Sequence, residues 1–189
     1  RQPGRDLSFG LIGELGSGKT SLINLIENEL RKHEKRFGLK VFLSRVSCWG
    51  FESSARAAHH ILEQVLVRLT SEVDCTSIRS LPESYRHAIS DQGGFWEMVL
   101  AILEGDNSSE TAFRRLSSIL RAIDARLVIA VEDLDRNKSD SFDPEQIKAL
   151  LSRIKGTERV SFIWTAGLAF WPDFSKLCDH IEQFAEMDP

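Results

Sequence analysis

Residues 13–20 read Gly-Glu-Leu-Gly-Ser-Gly-Lys-Thr, a complete G-x-x-x-x-G-K-[ST] phosphate-binding loop. The chemistry open to such a loop is the cradling of a polyphosphate. Gly16 and Gly18 let the backbone close on an anion. The amides from Gly16 to Thr20 then point at it, helped by the positive end of a following helix. Gly13, Glu14, Leu15, Ser17 and Ser21 complete the stretch expected to border a nucleotide. Lys19 is placed to reach the β- and γ-phosphates of ATP, and the Thr20 hydroxyl to hold Mg²⁺.

A phosphate loop needs an acidic partner, because the Mg²⁺ of Mg·ATP must be held and the attacking water oriented. Leu127-Val128-Ile129-Ala130-Val131 is an uninterrupted apolar run that ends in Glu132-Asp133-Leu134-Asp135-Arg136. A strand ending in two adjacent acids is the Walker B arrangement, and strand ends deliver side chains to the crevice where the loop also lies. Glu132 is expected beside the metal, and Asp133 is expected to orient or deprotonate water; a one-residue shift would put Asp133 on the metal instead. The catalytic candidates are therefore Lys19, Glu132 and Asp133, with Thr20 and Glu132 as the metal pair. Arg136 could reach a phosphate or a neighbouring subunit, or could hold Asp133 or Asp135 in place. Arg153 and Arg159 are alternative arginine fingers acting in trans.

The elements that must position these groups alternate strand and helix. Leu7–Ile12 reads as a short buried strand before the loop, and Thr20–Phe37 as a helix with Leu22, Leu25, Ile26 and Leu30 on one face. Gly38 is the expected stop. Val41–Ser47 reads as a strand and Ser53–Val73 as a long amphipathic helix. Pro82 and Gly93-Gly94 break the pattern between residues 74 and 94. A short helix is expected over Phe95–Leu103, and a capping box at Asn107 and Glu110 opens another that carries Phe113, Leu116, Leu120 and Ile123. The run 127–131 reads as a central parallel strand covered on both faces. Asp143-Pro144-Glu145-Gln146 starts a helix that runs to Gly156, Val160–Trp164 is a strand, Leu168–Cys178 a short helix, and Ile181–Met187 a last strand. The implied fold is α/β, a three-layer domain on a mainly parallel sheet of about five strands. Residues 50–126 are too helical for a single crossover and form a helical insertion between the second and third strands.

Bulk properties suit one domain over residues 1–189. The net charge of −4 provides no global basic field to recruit nucleic acid or an anionic membrane. Cys48, Cys75 and Cys178 fit neither a disulfide framework nor a zinc site, which points to a reducing, cytoplasmic compartment. The longest charge-free stretch, Val160–Pro172, is too short and mixed to span a bilayer. The first residue is Arg, so a fragment of a longer protein is expected. Asn137-Lys138-Ser139-Asp140 matches a guanine-reading motif but lies too close to the acidic pair to serve as one. His59-His60 lack a further ligand at helical spacing. Arg114, Arg115 and Arg121 read as a solvated face, and Trp49, Phe51, Trp96, Trp164, Phe170 and Trp171 as core.

The Gly-Glu-x-Gly-Ser-Gly-Lys-Thr-Ser-Leu loop and the Glu132–Arg136 string resemble the KAP group of P-loop NTPases, named for a neuronal kinase-D substrate and a plasmid phage-exclusion protein. The segments Val46–Phe51 and Ile181–Pro189 extend the resemblance to nearly the whole chain. It implies an additional-strand ATPase core with strand order 5-1-4-3-2, the sensing strand lying between the loop strand and the Walker B strand. It also implies a large insertion between the two motifs, and Glu132 lies 112 residues after Thr20. Many members carry membrane spans in that insertion, and this chain carries none there. Leu15 stands where an aromatic is frequent. Thr165 holds the sensor position at the strand end, where an acid is frequent. The function implied is Mg²⁺-dependent ATP hydrolysis driving a conformational or assembly switch, in signalling or in defence against phage. Partners would be a second copy of the chain or further domains of the full-length protein. The alternatives are a nucleotide-binding scaffold without hydrolysis and a small-molecule P-loop kinase.

Overall fold

The computed structural model describes residues 6–38, 40–72, 116–117, 120–121, 123–137, 142–170 and 176–184. Five parallel strands, β1 (Ser8–Ile12), β2 (Lys40–Ser47), β3 (Ala125–Glu132), β4 (Val160–Ala166) and β5 (His180–Gln183), form one sheet in the order β2-β3-β4-β1-β5. Read from the other edge this is the expected 5-1-4-3-2, with β4 between β1, which leads into the glycine-rich loop, and β3, which ends at Glu132. β3 pairs with β2 from Lys40–Ala125 to Ser47–Glu132, and with β4 from Leu127–Val160 to Val131–Trp164.

Period-two alternation sends successive strand residues to opposite faces. On one face Phe42, Val46, Leu127, Ile129, Val131, Phe162 and Trp164 are buried with Ala57, Ala58, Ile61 and Val65 of α2 (Ser54–Glu72) and Ile147, Leu150 and Leu151 of α3 (Pro144–Lys155). On the other face Leu11, Leu43, Ala130 and Ile163 enclose Ile23 of α1 (Lys19–Phe37), with Leu22, Ile26 and Leu30 packed around them. The three layers are thus α1, sheet, and α2 with α3. β3 takes part in both cores, which is why its sequence is apolar at every position from Leu127 to Val131.

The local signals act as their chemistry predicts. Gly38 ends α1 in the left-handed region at φ 69°, its amide bonded to the Glu34 carbonyl. The Asp143 carboxylate accepts the Glu145 amide at 2.9 Å and caps α3. Four readings are corrected. Leu25 is 56% exposed, because α1 is buried about Ile23, with Leu22, Ile26 and Leu30 around it, and helical spacing sets Leu25 on the far side from Ile23. Trp49 is 64% exposed, since it lies in the turn beyond the end of β2 rather than on the sheet. The segment after β4 begins as a 3-10 turn, Leu168–Phe170, and the last strand spans only His180–Gln183. Within the insertion, α2 is present, and Leu116 and Leu120 lie on helical backbone, buried against the α2–α3 core. Residues 73–115, with Cys75, Trp96, Asn107, Glu110, Arg114 and Arg115, lie outside the described residues, as do Lys138, Ser139, Asp140 and Trp171 and the side chains of His59, Arg153 and Phe170. No helix among the described residues is long and apolar enough to cross a membrane.

Ile129, 1% exposed at the centre of the sheet, measures the strength of this core. Ile129→Ala should cost about 2–5 kcal/mol in urea unfolding, whereas Leu25→Ala on the exposed side of α1 should change stability by about 0.5 kcal/mol or less.

Candidate functional site

The loop between β1 and α1 sits at the carboxyl edge of the sheet. Gly16 and Gly18 are left-handed at φ 84° and 92°, a conformation glycine adopts without a Cβ penalty, and each faces open space. Gly18 is also the residue that precedes α1, so the helix begins where the loop ends. Gly13 is confined instead: its amide donates to the Ala166 carbonyl of β4 at 3.2 Å, and a Cβ there would stand 2.7 Å from Ser17 Oγ and 2.9 Å from Phe184 Cβ. The Lys19 ammonium donates to the carbonyls of Gly13 at 2.6 Å and Glu14 at 2.8 Å, spanning the loop. Burial lowers its pKa; Asp135 partly offsets this, Arg136 adds to it, and Asp133 and Glu14 oppose it less strongly. Leu15 is 77% exposed and Glu14 is exposed, both on the outer rim of the loop. Thr20 and Ser21 open the first turn of α1, both exposed.

β3 brings the acids to this edge. The Thr20 hydroxyl donates to Glu132 Oε2 at 3.0 Å, joining residues 112 apart in the chain. Glu132 is buried and lies on the α1 side of the sheet, in phase with Val128 and Ala130. Its other oxygen, Oε1, accepts two bonds from Arg45 of β2, Nε at 3.0 Å and Nη2 at 2.8 Å. Asp133, one residue on, leaves the strand in the left-handed region at φ 60° and turns away from this pair. Its carboxylate meets Arg136 Nε at 2.8 Å and the Ser47 hydroxyl at 3.5 Å. The two acids therefore face different partners: Glu132 faces Thr20, and Asp133 faces Arg136 and the end of β2.

The glycine-rich loop and the two acids thus meet at one edge of the sheet, and the sequence model of the KAP family P-loop domain matches residues 1–163. The chain belongs to this family. No curated protein matches it. Solved structures similar to it include the ORC2 protein of Aeropyrum pernix in ADPNP–ADP complexes, at TM-score 0.59 and 14% identity, where 95% of this chain covers 41% of that one. The ORC1 protein of Aeropyrum pernix in complex with DNA is similar at TM-score 0.58 and 21% identity, where all of this chain covers 41% of that one. At these identities the likeness is one of fold, and the chain spans well under half the length of either protein.

In the KAP domain, further residues brace the acidic turn. Thr165, 4% exposed on β4, accepts the Asp133 amide at 3.4 Å and so contacts the backbone of the turn. Asp135 accepts the Gly167 amide at 2.7 Å, tying the turn to the end of β4. Asn137 donates to the carbonyls of Cys48 and Leu134 and accepts the Phe51 amide at 3.0 Å, so its side chain is committed to holding the β2 turn. Arg136 also lies over the exposed Trp49 ring, 5.9 Å from its centroid. Arg159 is bonded to Asp124 and the Ala125 carbonyl at the amino-terminal edge of the sheet, at the far end of the strands from the loop. Cys48, beneath the turn, is buried, and burial pushes its thiol up to about 12, so it stays protonated at neutral pH. Arg45, Asp135, Asn137 and Ser47 were not candidates from the sequence. The one available signal was Arg45, a cation within the otherwise apolar and hydroxylic stretch Val41–Ser47.

Gly13 offers a direct probe of the loop. Gly13→Ala should lower thermal stability by about 1–3 kcal/mol through overpacking against Ser17 and Phe184, and should weaken nucleotide binding in calorimetry because the loop must open to admit the methyl group.

Proposed function

We propose that this domain binds ATP with Mg²⁺ and hydrolyses it to drive a conformational or assembly switch. The observation that carries the reading is the Thr20–Glu132 contact beside a glycine-rich loop that faces open space. The residues fit the ion: a hydroxyl and a carboxylate oxygen 3.0 Å apart are hard oxygen donors of the kind Mg²⁺ takes, with the remaining positions left to water and phosphate. They fit the polyphosphate as well, through the loop amides and the start of α1. ORC2, which shares the fold, was solved in ADPNP–ADP complexes, and this supports the nucleotide assignment by analogy.

In this reading Lys19 exchanges the Gly13 and Glu14 carbonyls for the β- and γ-phosphates. Thr20 and Glu132 would hold the Mg²⁺, which would supply charge neutralisation on the phosphates. Asp133 orients the attacking water and accepts its proton, which requires its carboxylate to loosen from Arg136. Arg136 is then a restraint on Asp133, and Thr165 holds the backbone that aims it. An arginine acting on the γ-phosphate would come from a second copy of the chain or from another domain of a longer protein. Membership of the KAP family favours a role in signalling or in defence against phage, in a cytoplasmic setting. A net charge of −4 argues against recruitment of nucleic acid through a global basic field.

The pairing of Asp133 with Arg136 also suits a second reading, in which the domain binds nucleotide as a scaffold and does not turn it over. Turnover separates the two. Asp133→Asn should lower kcat for ATP hydrolysis by roughly 10²–10⁴ while ATP affinity changes little. Equal background rates in the parent and the variant, with ATP still bound, would establish the scaffold reading instead.

A further inference from the structure

Arg45 is paired with Glu132, one member of the proposed metal pair. It lies on β2 opposite Ala130, two residues before the Ser47–Glu132 register pair, so it reaches Glu132 diagonally across the same face of the sheet. Both of its bonds to Glu132 fall on Oε1, and Oε2 is thereby left to the Thr20 hydroxyl. The third nitrogen, Nη1, donates to Asn24 Oδ1 on α1 and lies 4.0 Å from Glu27, which is itself paired with Arg31 at 2.6 Å. Along this line the charges alternate: Arg31, Glu27, Arg45, Glu132. The Glu132 side chain is only 8% exposed, and a carboxylate so buried requires a compensating charge.

We propose that Arg45 is a positioning residue for Glu132 and a charge gate at the cation site. Its guanidinium keeps the nucleotide-free Thr20–Glu132 pair electrically neutral, so a divalent cation binds there together with the polyphosphate and not ahead of it. This rests on the reading that Thr20 and Glu132 hold the ion. A neutral site with two protein oxygens holds a hard cation weakly, and the charge that completes it comes from the phosphates. Arg45 also restricts the orientation of Glu132, because it holds Oε1 while the Thr20 hydroxyl holds Oε2, so both oxygens of the carboxylate are engaged.

The test uses Mn²⁺ without nucleotide, followed by electron paramagnetic resonance on the whole chain. Wild-type protein should show little saturable Mn²⁺ binding. Arg45→Met keeps the aliphatic stem and removes the charge, and it should bind Mn²⁺ about tenfold or more tighter. Arg45→Lys keeps the charge and should behave as the wild type, although one hydrogen bond is lost. Adding Glu132→Gln to Arg45→Met should abolish the gain. A merely structural role for Arg45 would predict no gain in Mn²⁺ binding. Arg45→Gln serves the same test if Arg45→Met does not fold. The proposal is overturned if the charge-removing variant binds Mn²⁺ no tighter than wild type, or if the gain survives Glu132→Gln. ATP affinity of the wild type in the presence of Mg²⁺ reads the underlying function separately: failure to bind Mg·ATP would refute the ATPase assignment, whereas the Arg45 assignment falls on the cation comparison.

Discussion

A hydroxyl at the start of a helix and a carboxylate at the end of a strand, 112 residues apart in the chain, meet at 3.0 Å, and the organisation of the domain follows from that contact. For Thr20 to stand there, α1 must start at Lys19 on the carboxyl edge of β1. For Glu132 to stand there, β3 must deliver its last residue to the same edge on the α1 side. The interposed β4 sets the spacing, bonding to β1 on one side and β3 on the other. Burial of Glu132 makes the arrangement demanding, because the carboxylate must be compensated wherever the nucleotide is absent. Arg45 meets that demand from β2, so two strands and one helix converge on one side chain.

The second acid is governed by a different constraint. β3 is apolar through Val131 because both faces are covered, and the chain can leave the sheet only beyond Glu132. Asp133 does so in a left-handed conformation that a short polar side chain tolerates. The turn that follows is held by Thr165 from β4, by Asp135 on the Gly167 amide, and by Asn137 on the β2 turn. A single residue step thus separates a carboxylate locked beside the helix from one attached to an exposed arginine. In the proposed reaction the first holds charge still and the second moves a proton, and their surroundings differ accordingly.

Much of this was legible in the residue order. The loop glycines, Lys19 and Thr20 are specified by type and spacing, and the apolar run before Glu132 announces a central strand. Element boundaries fell within a residue or two where caps or glycines mark them, as at Gly38 and Asp143. The strand order followed from the family resemblance and not from periodicity. What could not be read depends on neighbours across the sheet. Arg45 acquires meaning only when β2 lies beside β3 in a register that puts Ser47 opposite Glu132. Asn137 looked like part of a base-reading motif, yet its amide is spent on the backbone of Cys48, Leu134 and Phe51. Leu25 was assigned inward by helical spacing and Trp49 by residue type, whereas the packing of α1 around Ile23 and the end of β2 leave them exposed.

The account stands on Thr20 and Glu132 acting as one unit on the cation of Mg·ATP. A double-mutant cycle with Thr20→Val and Glu132→Gln, read by calorimetry with Mg·ATP and again with ATP in EDTA, tests this most directly. Each single change should weaken Mg·ATP binding while leaving binding in EDTA nearly unchanged, and the pair should be non-additive by about 0.5–3 kcal/mol. Additive losses, or losses of equal size with and without Mg²⁺, would contradict it.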